Sequence, residues 1–470
     1  MHSNIATIYM IRKNYLLFCL TLSVTAASAQ SVTDGLIQKI RSEYKPSASD
    51  RALRNAMGTT DIKKLSVNQD NRQELNTYFS NQVDGKGITD QESSGRCWLF
   101  TGLNVMRSKI IAKNKLSDFR LSQVYLFFWD QFEKSNLFLQ GVIDNRKKPM
   151  DDKMVEWLFK NPISDGGQFT GIADLTAKYG IVPQAIMPET YIANNTAQFD
   201  KLLTSKLREY GLALRSDNKA SDKELIQKKE KMLVTIYRML ATAYGEPPVS
   251  FDFAFKDKDG KYTSATRHYT PQSFYKEMIG EDLNANYIML MNDPTRAFWK
   301  TYEIDFDRHT YDGHNWTYIN LPIDEIKKMA IASIKDSTMM YFSCDVGKFL
   351  DKDRGLLDVN NFNYGDLFGT VFGMNKEQRV KTFDSGSSHA MTLTAVDIDK
   401  NGKSAKWKVE NSWGPDYGQK GYLIMTDEWF DNYMFRLVVN KKYASANILD
   451  LLKTKPTRLP AWDPMFASED

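Results

Sequence analysis

Three short segments of this sequence carry side chains that together could break an amide bond. The first is Gln91-Glu92-Ser93-Ser94-Gly95-Arg96-Cys97-Trp98. Cys97 stands where a glycine-bearing loop enters an apolar helical pattern. The N–H groups and dipole of a helix N-terminus favour a thiolate there, and the thiolate is the nucleophilic form. The second segment, Ser387-Ser388-His389-Ala390-Met391, leads into a strand-like run. An imidazole at the start of a strand can reach across a cleft. The third is Glu410-Asn411-Ser412-Trp413-Gly414. The amide oxygen of Asn411 can accept from the far ring nitrogen of His389 and fix its tautomer, while Trp413 shields that bond from water. Gln91 can add its side-chain amide to the Cys97 N–H in an oxyanion hole, where one such donor is worth roughly 3–4 kcal/mol. Each piece alone has an ordinary reading: a small buried hydrophobe, a hydrogen-bonded histidine, a turn after a strand, a surface glutamine. Together, in the order cysteine, histidine, asparagine, they match the logic of nucleophile, base and orienting group.

The elements around them are legible. Leu99, Leu103, Met106 and Ile110 recur at helical spacing after Cys97, and Ser122 is placed to cap a second helix carrying Tyr125, Leu126 and Trp129. Residues 30–65 read as a polar N-terminal arm with one helix near 33–42, and residues 66–190 as a helical lobe bearing the cysteine. Residues 191–335 read as an inserted, mainly helical region. There Ser221-x-x-Glu224 forms a capping box, Leu225, Met232, Ile236, Met239 and Ala243 follow on one face, and Gly245 and Pro247 end the helix. Asp259-Gly260 marks a hairpin in the same region. From 336 to 450 the pattern turns to strands, at 341–346, 390–398, 406–410 and 422–426, with Asn401-Gly402 as a hairpin turn. Residues 451–470 form a C-terminal arm. The expected fold class is α+β: a helical lobe, an antiparallel β lobe and a site between them.

The whole chain narrows the function. Its 470 residues carry 62 basic and 58 acidic groups, so no strong field favours nucleic acid. No stretch approaches the ~20 apolar residues of a membrane helix. Arg12 and Lys13, an apolar run over 15–22 and Ala27-Ser28-Ala29 read as a secretory signal peptide over residues 1–29, which predicts a periplasmic or extracellular product. Met10 is an alternative start. Cys19 falls in the signal, leaving Cys97 and Cys344; the latter reads as a buried thiol in a strand. Asp397-x-Asp399-x-Asn401-Gly402 looks like the opening of a calcium loop, but Lys408 stands where position 12 needs a bidentate glutamate. His268, His309 and His314 lack zinc spacing and read as surface or hydrogen-bonded side chains. No cofactor or metal is expected.

These segments resemble the papain superfamily, and within it the bleomycin hydrolase and bacterial aminopeptidase C family. Gln91, Cys97, His389 and Asn411 fall on that family's oxyanion glutamine and catalytic triad. The likeness continues through Asp165-Gly166-Gly167-Gln168, Lys178-Tyr179-Gly180, Val182-Pro183, Met187-Pro188-Glu189, Cys344-Asp345-Val346-Gly347 and Trp462-Asp463-Pro464-Met465. The resemblance implies a papain-like two-lobed fold with a large insertion, and peptide substrates cleaved through a thioester acyl-enzyme. It implies that Gly166 and Gly167 hydrogen-bond the substrate backbone. It also implies N-terminal trimming, because the family's C-terminal arm blocks one side of the cleft, and a homohexamer enclosing the sites. Two departures stand out. Ser94 occupies the position where simple papain enzymes carry a second cysteine. The tail Phe466-Ala467-Ser468-Glu469-Asp470 ends acidic, where the family's is small and apolar. A papain-like endopeptidase with an open cleft and a catalytically silent scaffold are the alternative readings. Family members can bind nucleic acid; near-neutral charge and export argue against that here.

Overall fold

The computed structural model describes residues 31–466 apart from Asn218 and Lys258. The expected signal peptide and residues 467–470 lie outside the described residues. The chain forms two compact units, of which the smaller combines the segment up to Val67 with Asn363–Thr370. That unit holds α1 (Asp34–Glu43), α2 (Ala48–Met57) and α3 (Ile62–Leu65). Each starts on a polar cap: Thr33 accepts from the Leu36 N–H, Ser47 and Asp50 form a capping box, and Asp61 accepts from Lys63 and Lys64. The Asn363 N–H donates to the Ser66 carbonyl at 2.7 Å, closing the unit on itself.

The larger unit begins its helical part with α4 (Cys97–Asn114), α5 (Gln123–Asp144), α6 (Lys153–Lys160) and α7 (Phe169–Tyr179), followed by the long α8 (Ala197–Ser216) and α9 (Asp222–Tyr244). Ser122 caps α5 by accepting from the Tyr125 N–H, and Ser221 with Glu224 caps α9. Gly245, at φ +87°, ends α9 in a conformation that favours glycine. α4 is buried on nearly every side over its first three turns, from Cys97 to Arg107. A helix apolar all round belongs in a core rather than on a surface.

That core is one face of a mixed sheet of twelve strands: β1 (Asn81–Gln82), β2 (Tyr287–Met291), β3 (Lys300–Ile304), β4 (Thr317–Asn320), β5 (Met340–Cys344), β6 (Leu350–Asp351), β7 (Leu356–Leu357), β8 (His389–Ile398), β9 (Ser404–Glu410), β10 (Tyr422–Thr426), β11 (Met434–Asn440) and β12 (Thr457–Leu459). The order is β12-β3-β4-β2-β11-β5-β8-β9-β10-β7-β6, with β1 added to β8. Alternation splits neighbouring residues between the faces. Tyr341, Ala390 and Val438 pack with Trp98, Leu99 and Leu103 of α4. Phe342, Met391 and Leu437 pack on the other side with Ile326, Met329 and Ile334 of α10 (Ile323–Lys335).

One expectation is corrected here. The sheet is not wholly antiparallel, since β7 with β10, β2 with β4 and β3 with β12 run parallel. The inserted region, 191–335, is mainly helical and also contributes β2, β3 and β4 to the sheet. β2 reads Tyr-Ile-Met-Leu-Met, rich in residues that also favour helices. Its pairing with β11, Leu290 opposite Leu437, makes it a strand.

One buried ion pair joins the helical core to the end of β9. Arg107 Nη2 donates to Glu410 Oε1 at 2.6 Å and to the carbonyls of Gly85 and Gly87 at 3.0 and 2.9 Å. Both side chains are almost fully buried. Burial pushes the Glu410 carboxyl up to about 7, and the guanidinium works against that rise. Removing one partner strands a buried charge, which costs about 3–5 kcal/mol, whereas an apolar pair of similar volume restores much of it. Arg107→Met should therefore lower the stability seen in urea unfolding by that amount, and Arg107→Met/Glu410→Met should recover most of it. A single-variant loss below about 1 kcal/mol, the range of an exposed pair, would contradict this.

Candidate active site

Cys97 is the first residue of α4 and is buried. The preceding residue, Arg96, does not cap the helix with its side chain. Its guanidinium turns away to Glu189 Oε2 at 2.7 Å, Asn194 Oδ1 at 3.2 Å and Ser94 Oγ at 2.9 Å. The positive end of the α4 dipole is thus left to the thiol.

His389 is the first residue of β8, the strand on which α4 packs. Its Nε2 donates to Asn411 Oδ1 at 2.8 Å. The same oxygen accepts from the Ser412 N–H at 2.8 Å, which fixes the amide's orientation and so the imidazole tautomer. Nδ1 remains as the basic nitrogen. The Trp413 ring stacks on the imidazole with centroids 4.6 Å apart, as its position suggested. Burial pushes His389 down to about 4, and the bond to Asn411 pulls it partly back.

Gln91 closes the circuit. Its Nε2 donates to the Ser94 carbonyl at 2.7 Å, leaving its second amide hydrogen for another acceptor. Its Oε1 accepts from Ser412 Oγ at 2.6 Å, and its backbone N–H donates to the Ser412 carbonyl at 2.8 Å. An unbroken hydrogen-bonded path therefore runs from the loop before Cys97, through Gln91, Ser412 and Asn411, to His389. Residues separated by some three hundred positions are brought into one constellation.

Gly166 and Gly167 lie in the loop between α6 and α7 and line a cleft of about 430 Å³ with Trp157, Ser164, Arg436 and Ala461. A Cβ on Gly167 would sit 2.7 Å from Trp98 Cε2, so the neighbour of the thiol leaves no room for a side chain there. The C-terminal arm reaches the same cleft. Asp463 accepts from Arg296 at 2.6 Å, and Arg436 Nη2 donates to the Met465 carbonyl at 3.0 Å. Arg436 pairs with Ser343, and Ser343 with Ala390, so the arm is fastened two strands from the start of β8.

Sequence reasoning passed over the supports of this site. His309 is a buried ring packed 4.7 Å from Trp98 and bonded to Asp130. Lys134 bonds Asp130 at 2.8 Å and the Gly166 carbonyl at 2.6 Å. The i,i+4 spacing of Asp130 and Lys134 was the visible signal, but nothing in the sequence tied it to residue 166 or 309. His268 and His314 are paired with Asp252 and Asp174 at 2.8 and 2.7 Å. Cys344 is buried in β5. In the calcium-like loop, Asp399 Oδ1 accepts from the Asn401 and Lys403 N–H groups, so that carboxylate is occupied by the turn. Among the described residues, no helix is long and apolar enough to cross a membrane.

The profile of the Peptidase C1-like family matches residues 31–466. The chain belongs to that family. Aminopeptidase C of Lactobacillus delbrueckii subsp. lactis is 40% identical over 420 residues, covering 88% of this chain and 93% of the relative. Human bleomycin hydrolase is 38% identical over 445 residues, covering 92% and 96%. The crystal structure of PepW from Lactobacillus rhamnosis HN001 superposes with a TM-score of 0.89 at 39% identity, over 94% of this chain and 100% of that one. This papain-like cysteine peptidase has the α+β architecture its sequence implied.

The depressed His389 gives a checkable pH dependence. In Cys97→Ala the ring feels only burial and Asn411, so its folded pKa near 4 lies below the unfolded ~6.5. The unfolded chain then takes up the proton first. The contribution of neutral His389 is present above about pH 6.5 and is lost as pH falls towards 4, on the order of 3 kcal/mol in all. Urea unfolding of Cys97→Ala at pH 7 and pH 4.5 should show this loss, and Cys97→Ala/His389→Gln should show a smaller one. Equal losses in both would contradict it.

Proposed function

We propose that this chain is an exported aminopeptidase that trims N-terminal residues from peptides through a thioester acyl-enzyme. The observation that carries the reading is the hydrogen-bonded path from the Cys97 loop to His389. In this proposal Cys97 Sγ, as thiolate, attacks the carbonyl carbon. The developing oxyanion is met by the Cys97 N–H and the second amide hydrogen of Gln91. His389, protonated at Nδ1, gives that proton to the leaving nitrogen as the C–N bond breaks and the thioester forms. Nδ1 then takes a proton from water, whose oxygen attacks the thioester. The acid product leaves and the thiolate is restored. Gly166 and Gly167 offer their backbone to the substrate.

Burial alone would keep His389 neutral, so the ion pair needs its own support. A thiolate about 4 Å from an imidazolium contributes on the order of 4 kcal/mol at an effective dielectric constant near 20, about three pKa units. Added to a value near 4, that returns His389 to around neutrality.

Trimming from the N-terminus is supported by the arm held through Arg296 and Arg436 beside the cleft, and by the aminopeptidase C name of a 40% identical relative. Export to the periplasm or outside the cell is supported by the residue pattern before position 30. A homohexamer is proposed on the family resemblance, and gel filtration at the mass of one chain would remove that part.

Cys97→Ala should abolish hydrolysis, with a loss of at least ~10³-fold, while leaving the melting temperature close to wild type. Retained turnover would remove the nucleophile assignment. A peptide with a free N-terminus should be cleaved much faster than its N-acetylated form. Equal rates would replace trimming with endopeptidase action.

A further inference from the structure

The strip that carries Gly166 and Gly167 is held from behind by successive carbonyls. The Ser164 carbonyl accepts from Lys134 Nζ at 3.0 Å and from Gln131 Nε2 at 3.0 Å. The Asp165 carbonyl accepts from Trp98 Nε1 at 2.7 Å. The Gly166 carbonyl accepts from Lys134 Nζ at 2.6 Å. The residue next to Cys97 thus holds the middle carbonyl, and Lys134 holds the two on either side of it.

Lys134 is itself fixed. Its ammonium also bonds Asp130 Oδ2, one turn earlier on α5, at 2.8 Å, and lies 5.4 Å from the centre of the Trp98 ring. An ammonium has three hydrogens, and here each has an acceptor, so none is left for a substrate. Asp130 is fully buried, and its other oxygen accepts from His309 Nδ1. Burial works against the Asp130 carboxylate, but Lys134 and His309 outweigh it and hold the carboxyl below its ordinary value. Burial and the Lys134 charge push His309 down, so the ring is neutral and donates.

A trans peptide points its C=O and the following N–H in opposite directions, and no described peptide bond is cis. Turning the Gly166 carbonyl towards α5 therefore turns the Gly167 N–H away from it. Behind Gly167, the His309 and Trp98 rings stand 2.3 and 2.7 Å from where a Cβ would lie, so the residue is backed by two packed rings. Among the described residues, neither the Gly166 nor the Gly167 N–H donates to a backbone carbonyl. We propose that Lys134 is a positioning residue for the substrate: by holding the Gly166 carbonyl, it aims the Gly167 N–H at a backbone carbonyl of the bound peptide. This rests on the reading of Gly166 and Gly167 as the strip along which the substrate lies.

The test is binding of a short peptide with a free N-terminus, by titration calorimetry, to full-length Cys97→Ala and Cys97→Ala/Lys134→Met. The second protein should bind roughly 3–10-fold more weakly, the worth of one neutral hydrogen bond. The measurement is repeated with analogues in which one amide at a time is replaced by a trans-alkene of the same shape. For the analogue that lacks the carbonyl reached by Gly167, Lys134→Met should cost nothing further, because the bond it would weaken is already gone. A merely structural role for Lys134 would cost the same factor with every analogue. That result, or equal binding of the parent peptide by both proteins, overturns the proposal. If Lys134→Met does not fold because it strands the Asp130 carboxylate, Asp130→Asn/Lys134→Met removes that charge and carries the same prediction. Peptide products appearing with Cys97→Ala would instead remove the nucleophile reading.

Discussion

The bond from His389 Nε2 to Asn411 Oδ1 does several things at once, and the surrounding structure is arranged to keep it. It fixes which nitrogen carries the proton. It holds the ring at the start of β8, against the helix that begins with Cys97. It also offsets part of the desolvation that burial imposes on the ring. A single neutral hydrogen bond contributes only about 0.5–1.5 kcal/mol to stability, so it could not hold this arrangement in water. Trp413 excludes water from one side. Ser412 and Gln91 pin the acceptor from the other and carry the constraint back to the loop before the thiol.

Each end of that path is anchored in a core. β8, like β5 and β11, contributes to both apolar clusters, with Ala390 facing the α4 side and Met391 facing α10. Asn411 follows directly on Glu410, whose buried carboxylate is bound to Arg107 in the middle of α4. Asn411 and Cys97 are thus referred to the same helix. On the substrate side, Asp165 and Lys134 bind the loop of Gly166 and Gly167 to α4 and α5. The cleft is a gap between elements that are themselves fixed.

Much of this was legible in the sequence because it rests on short-range rules. Ser122, Ser221 with Glu224, and Thr33 announce helix starts by side-chain chemistry alone. Asn401-Gly402 announces its hairpin, with Gly402 at φ +82°. Gln91, Cys97, His389 and Asn411 stood out as candidates because residue types suited to acyl transfer sit in short local patterns, a loop entering a helix, a strand start and a strand end. What was not legible depends on distant pairing. Leu290 becomes strand by lying opposite Leu437, and β12 is a strand only beside β3. Gly167 must be glycine because the His309 and Trp98 rings, both far away in sequence, fill the space a Cβ would take.

The central claim, that the folded path sets a basic imidazole beside an ionised sulfur, is tested most directly by alkylation. The rate at which iodoacetamide modifies Cys97 would be followed by mass spectrometry from about pH 5 to 10 in wild type and in His389→Ala. A thiolate paired with imidazolium should react in wild type well below the ordinary cysteine pKa of ~8.5, and in His389→Ala only as pH approaches that value. The same pH dependence in both proteins would contradict the account.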